Sequence, residues 1–240
     1  MTDRVAAWLR DAARVVVLTG AGISAESGVP VFRGKTGLWR QFRPEDLATP
    51  EAFKRQPELV WEWYGWRREQ IARAQPNDGH LALARLERRR PGVTLLTQNV
   101  DGLHQRAGSA PPMELHGSLW RVKCAEDCGF AVVDQETEAV RREFHCECGS
   151  WLRPDVVWFG ESLDPDVLER ATAAAEEADV VMVVGTSAAV YPVAALPQMA
   201  RRRNAKLVEV NVAPTPLSSE VDAVLRGTAS AMLLAVEQEL

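Results

Sequence analysis

A chain of 240 residues, 46% hydrophobic and 25% charged, is long enough for one large α/β domain or a main domain with a small insert. A net charge of −5 excludes recruitment to nucleic acid by bulk electrostatics, and no apolar run reaches the length that crosses a bilayer. Met1 to Arg10 carries Asp3 and lacks an apolar stretch followed by a small-residue cleavage site, so a cytoplasmic protein without a membrane partner is expected.

In chain order, Asp3 to Ala13 predicts an amphipathic helix, and Arg14 to Thr19 a buried parallel strand closed by Gly20. Gly20-Ala21-Gly22-Ile23-Ser24-Ala25 then fits G-x-G-x-x-G/A. Two glycines there would permit a tight turn and close approach to a pyrophosphate, with amides at a helix start facing the phosphates. A dinucleotide unit would continue with a second strand ending in an acid roughly 20 residues on. Residues 28–39 are instead rich in Gly, Pro and aromatics and read as a lid-like loop.

Helices are predicted over Pro57–Ala74, Asn77–Arg89, Pro165–Glu177 and Pro192–Arg203. Strands are predicted over Val93–Thr97, Asp179–Val184 and Ala205–Val210. This alternation implies an α/β fold, a doubly wound, Rossmann-like parallel sheet. Residues 121–152 break the rhythm, so the expected large lobe is 1–40, 81–120 and 153–240, with a small lobe from 41–80 and 121–152. Arg88 to Arg90 and Arg201 to Arg203 read as solvated cations at helix ends.

All four cysteines fall in that second insert. Cys124-x3-Cys128 and Cys146-x-Cys148 could place four thiolates around one structural zinc ion. The second pair is unusually tight, which leaves His145 open as a substitute ligand. Gly185, Thr186 and Ser187 follow one predicted strand and Asn211 another, at the carboxyl ends where open α/β sheets bind ligands. Tyr64 and Arg67, three apart in a predicted helix, share one face.

GAGISAESGVPVFRG (20–34), TQNVDGLH (97–104), ELHGS (114–118), RPDVVWFGE (153–161), GTS (185–187) and Val210-Asn211 together resemble the sirtuin family, in that family's order. The compactness of the chain resembles its bacterial branch. The resemblance implies an NAD-dependent protein-lysine deacylase acting on acyl-lysine in proteins or peptides. The acyl amide oxygen would attack the nicotinamide ribose, expelling nicotinamide. A ribose hydroxyl activated by His116 would then attack the acyl carbon, giving O-acyl-ADP-ribose and free lysine. Histidine suits a general base because its ordinary pKa lies near neutrality.

The resemblance further implies that Asn99 and Asp101 meet the nicotinamide and its ribose. Gly20, Ala21, Gly22, Ser24, Ala25, Glu26, Phe32, Arg33, Trp39, Gln98, Val100, Gly185, Thr186, Ser187, Asn211 and Ala229 would complete the NAD site. His80 reads as structural, while His104 is open to a packing or orienting role and equally to a catalytic one. A peptide would add as a strand beside Val157, Trp158, Phe159 and Gly160, although Val156–Phe159 also fits a buried strand. WYGWRRE (63–69) resembles the sirtuin branch in which a Tyr-x-x-Arg pair reads the carboxylate of succinyl- or malonyl-lysine. Tyr64 and Arg67 take those places, and Ala48 would leave room for the longer acyl chain. An ADP-ribosyltransferase sharing the NAD site, a plain deacetylase, a non-catalytic NAD module and a dehydrogenase are the alternatives. No oligomer signal is evident.

Overall fold

The computed structural model describes residues 1–31, 43–135 and 145–240. Among the described residues nine strands follow in chain order: β1 (Val15–Thr19), β2 (Val93–Thr97), β3 (Met113–Glu114), β4 (Gly117–Cys124), β5 (Ala131–Val133), β6 (Leu152–Val156), β7 (Val180–Val184), β8 (Lys206–Asn211) and β9 (Ala223–Arg226). Six of them form one parallel sheet in the order β3-β2-β1-β7-β8-β9. The chain leaves β1 toward β2 on one side and later returns to its other side at β7. That reversal opens a crevice at the carboxyl ends of β1 and β7, where such sheets hold ligands.

Strand periodicity explains why β1 is apolar throughout. Val15 and Val17 join the core under helices α1 (Thr2–Asp11), α5 (Asp78–Arg89) and α9 (Ala229–Gln238). Val16 and Leu18 point the other way, into the core under α7 (Pro165–Glu176) and α8 (Leu196–Arg202). A third core joins α2 (Pro44–Leu47), α3 (Pro50–Arg55), α4 (Pro57–Arg73) and the short α6 (Leu103–Arg106) to the antiparallel sheet β5-β4-β6, through Val60, Trp61, Tyr64, Leu103, Leu119, Val122 and Trp158. Two buried polar contacts tie α4 to that sheet. Trp61 Nε1 donates to the Leu152 carbonyl at 2.8 Å, and Arg68 pairs with Asp134 at 2.8 Å. Removing one partner of such a buried pair strands the other's charge, at a cost of about 3–5 kcal/mol.

Several expectations are corrected. The residues after the first strand form a 3₁₀ segment, Ala21–Ser27, instead of opening an α-helix. The helix expected over 192–203 begins with a 3₁₀ turn, Val193–Ala195, and is α-helical only from Leu196. Pro197 lacks an amide donor and is accommodated in the first turn, which favours a start there. The antiparallel sheet that contains the 121–152 insert runs from Gly117 to Val156. A register shift between Ser118 and Val122 breaks the alternation along β4 and hides this strand from a period-2 reading. The Val156–Phe159 strand also fails, since β6 ends at Val156.

Candidate active site

A cavity of about 660 Å³ lies at the carboxyl ends of β1, β2, β7 and β8 and is also walled by α4 and the chain after β6. Its floor is two strand-end turns in backbone contact. Gly22 N donates to Gly185 O at 2.7 Å, and Gly20 N to Val184 O at 3.0 Å. A Cβ on Gly22 would sit 2.6 Å from Gly185 O, and one on Gly20 2.7 Å from Thr186 Cβ. Gly185 itself has φ +62°. These glycines are therefore required by the approach of the two turns to each other. This reason stands beside the tight turn and close pyrophosphate approach that the sequence suggests.

Thr186 is held from the ends of two other strands, β2 and β8. Gln98 Nε2 donates to its hydroxyl at 3.0 Å, and Asn211 Nδ2 to its carbonyl at 2.8 Å. Asn99 Nδ2 donates to Gly20 O at 3.3 Å and Ser24 Oγ at 3.2 Å, spanning β2 and the first turn. Ala21, Val100 and Ser187 also line the cavity.

Other expected contacts lie off its wall. Ser24 donates to Asp101 Oδ2 at 2.7 Å, and both are buried beneath the floor, where burial raises the Asp101 carboxyl pKa. Ala25 and Glu26 are exposed, and Glu26 accepts from Ser230 N. Ala229 is buried at the start of α9, whose first residues Glu26 caps. Phe32, Arg33 and Trp39 lie outside the described residues.

The layer under the floor contains a polar network that residue patterns do not reveal. His80 Nδ1 accepts from Asn77 N at 3.3 Å, which leaves Nε2–H facing Ser24 Oγ at 3.4 Å. The His80 and His104 rings meet edge to face, 4.9 Å apart. His104 Nε2 contacts Thr19 Oγ1 at 3.0 Å, and Thr19 donates to Thr97 Oγ1. Burial lowers the His80 pKa to about 4, and burial with the neighbouring His80 lowers that of His104 to about 3. Both rings are neutral at pH 7.

His116 sits between β3 and β4 and faces the cavity. Its Nδ1 lies 3.2 Å from the Gln98 carbonyl, an acceptor only. Nδ1 therefore carries the proton, and Nε2 keeps its lone pair. Burial lowers the pKa of this ring, opposed by the bond to Gln98. The Val157 amide donates to His116 O at 3.0 Å and fixes the backbone behind the ring.

The opposite end of the cavity is aromatic. Tyr64 and Arg67 are buried in its wall on one face of α4, as their spacing predicts, near Ala48 and Trp158. The Arg67 guanidinium lies 5.0 Å from the Trp63 ring centroid and 5.8 Å from that of Tyr64. Burial pulls its pKa down, while Tyr64 and Asp101 push it up. Burial raises the Tyr64 pKa, against the pull of Arg67. Val157, Phe159 and Gly160 complete this mouth, with Phe159 exposed and its amide bonded to Ala48 O at 2.9 Å.

The Sir2 family profile matches residues 20–192. The chain belongs to the Sir2 family. It is 55% identical over 217 residues to an NAD-dependent protein deacylase of Aquifex aeolicus, covering 90% of each chain. It is 48% identical over 236 residues to NAD-dependent protein deacylase 2 of Pyrobaculum aerophilum, covering 98% of this chain and 94% of that one. A Sir2 homologue mutant solved with ADP-ribose superposes with TM-score 0.95 at 46% identity, over 100% of this chain and 96% of that one. A Sir2 homologue–NAD complex superposes with TM-score 0.90 at 47% identity, over 99% and 93%.

Within this Sir2-family fold the four cysteines converge despite the tight second pair. Their sulfurs all lie within 4.8 Å of one another, with Cys124–Cys148 and Cys128–Cys146 each at 3.5 Å. Tetrahedral zinc–thiolate bonds of about 2.3 Å put neighbouring sulfurs close to this spacing, so the site fits zinc with four cysteine ligands and no need of His145. Sequence reasoning also left the roles of Arg153 and Glu161 unread, although both lie in the 153–161 motif. Their charges meet through the turn after β6 and clamp Trp158.

Proposed function

We propose that this Sir2-family enzyme removes acyl groups from lysine side chains of peptides and proteins using NAD, and that its pocket favours acyl chains ending in a carboxylate. Names of similar proteins support the first part; a Sir2–p53 peptide–NAD⁺ complex superposes with TM-score 0.87 at 32% identity. NAD, when bound, supplies a ribose that loses nicotinamide and offers hydroxyls to take the acyl group. The floor fits it: the Gly20, Gly22 and Gly185 amides are bonded to backbone carbonyls, so the amides for the phosphates would be those of Ala21, Thr186 and Ser187, which also line the cavity. Asn211 and Asn99 bring amide groups suited to ribose hydroxyls and the carboxamide.

His116 acts as the base at Nε2. Its anchored Nδ1–H presents that lone pair to the cavity, and its lowered pKa keeps the ring unprotonated at neutral pH. A peptide strand beside residues 157–160 would have to pair mainly with carbonyls rather than amides. The Val157, Trp158 and Phe159 N–H groups already donate to His116 O, Glu161 Oε2 and Ala48 O. Cys124, Cys128, Cys146 and Cys148 would hold one zinc ion in a closed site whose part is structural. Metal analysis of purified protein is expected to find about one equivalent, as for one four-thiolate site.

The acyl preference rests on one observation: a buried guanidinium and a buried phenol share the cavity wall beside the small residue Ala48. In a wall of low polarity, a carboxylate gains more from such a cation than it would in water. The test is a paired assay with acetyl- and succinyl-lysine versions of one peptide and NAD, following free lysine peptide, nicotinamide and O-acyl-ADP-ribose. A higher kcat/KM for succinyl is expected. Faster acetyl turnover overturns the preference and leaves a deacetylase. ADP-ribose on peptide without deacylation would favour the transferase.

A further inference from the structure

The phenol that would meet an acyl carboxylate is held by more than its own helix. Trp158 Nε1 lies 2.9 Å from Tyr64 Oη, both side chains being buried. An indole N–H only donates, so the phenol oxygen is the acceptor of this bond. The O–H proton of Tyr64 must then point away from Trp158. Both residues line the cavity, and that direction is available to a ligand.

Trp158 is locked in turn. The Arg153 guanidinium stacks 3.4 Å from the Trp158 ring centroid and is only 6% exposed. Its Nη2 donates to Val156 O at 2.9 Å and to Glu161 Oε2 at 2.9 Å, while Nη1 bonds Glu161 Oε1. Glu161 Oε2 also accepts from Trp158 N at 2.8 Å. Phe53 packs on the indole with ring centroids 5.2 Å apart. Carboxylate, guanidinium, indole and phenol thus form one series, each fixing the next. A cation over the ring face also draws electron density from the indole and strengthens its N–H as a donor.

We infer that Arg153 and Glu161 are positioning residues which, through Trp158, set Tyr64 as a hydrogen-bond donor to the distal carboxylate of the acyl chain. The inference rests on the acidic-acyl reading above and adds to it a proton direction. A carboxylate accepts only, so a phenol committed to donating matches it. An acetyl group has no distal acceptor and gains nothing from this alignment. Selectivity would thus depend on residues remote in sequence from Tyr64 and Arg67.

The experiment measures the ratio of succinyl to acetyl kcat/KM in wild type, Trp158→Phe, Tyr64→Phe, the double variant, Arg153→Lys and Arg67→Met, with a thermal melt of each. Trp158→Phe keeps an aromatic ring and removes the donor. It is expected to lower the ratio about fivefold, the weight of one ordinary hydrogen bond, through a raised KM for the succinyl peptide. In the Tyr64→Phe background the same change should add no further loss of ratio, because the bond is already gone. Arg153→Lys keeps a cation and loses the fork to Glu161, so its ratio should fall between those of wild type and Trp158→Phe.

A wild-type ratio in folded Trp158→Phe overturns the inference, and so do losses that multiply in the double variant. Should Trp158→Phe fail to fold, Arg153→Lys decides, and a wild-type ratio there overturns it. An unchanged ratio in Arg67→Met removes the acidic-acyl reading and this inference together. A fall in Arg67→Met with none in Trp158→Phe removes only the positioning series.

Discussion

The two ends of the cavity are built on different physical plans. The proposed NAD floor is mostly backbone and short polar side chains whose hydrogen bonds are made to one another: Gly22 to Gly185, Gln98 and Asn211 to Thr186, Asn99 to Gly20. The acyl end is large side chains, with a buried cation and phenol among indoles and Phe53. Positions on the floor are set by strand ends and cannot change without moving the sheet. Those at the acyl end depend on which face of α4 and which rotamer the chain presents. A family sharing one cofactor can keep the first and vary the second.

Substitutions can break this contrast, beginning with the largest effect. As the proposed base His116 would serve both ends, so His116→Ala should lower kcat/KM for acetyl and succinyl peptides alike, by about 10²–10⁴-fold, the usual weight of a general base. A selective loss would contradict its placement. Gly22→Ala attacks the floor alone. Its Cβ would press on Gly185 at 2.6 Å, and overpacking of that kind costs about 1–3 kcal/mol. A raised KM for NAD with every acyl peptide, and a lower melting temperature, are expected.

Arg67→Met attacks the acyl end. It should lower the succinyl-to-acetyl ratio about ten- to hundredfold, the range for a hydrogen bond to a charged group. If the KM for NAD shifts as far as the ratio, the two ends are not separable. The smallest effect concerns the histidines below the floor. Their folded pKa values, about 4 for His80 and about 3 for His104, lie below the unfolded value near 6.5. The unfolded chain therefore binds more protons below pH 6.5, and stability is lost as pH falls from there toward the folded pKa values. Between pH 6.5 and 5 this amounts to about 1.6 kcal/mol for one such histidine. Denaturant unfolding at both values should show it, and His104→Asn should reduce the slope.

Legibility in the sequence followed the same division. The floor was readable because strand ends carry contiguous motifs: Gly20 to Ser24, Gln98 to Asp101, Gly185 to Ser187. What those motifs could not tell was depth. Asp101 and Ser24 look like ligand groups, yet they bond each other below the wall. Tyr64 and Arg67 were readable because helical spacing fixes a shared face. Arg153 and Glu161 were not, since their meeting depends on the turn that ends β6 and no periodicity encodes it. The antiparallel sheet escaped for a related reason: β4 changes register within itself.

The place of β1 in the sheet has a consequence for how the molecule comes into being. The strand leaves the ribosome well before one neighbour, β7, which pairs with it from far along the chain. The Arg14 amide bonds Asp179 across 165 positions. Its other neighbour, β2, is also distant. Until both arrive, Val15 to Leu18 is an apolar run with open edges on both sides. Pairings so distant make for slow assembly and prolonged exposure of such runs. During synthesis the nascent chain should therefore depend on chaperones that shield this segment until β7 has emerged.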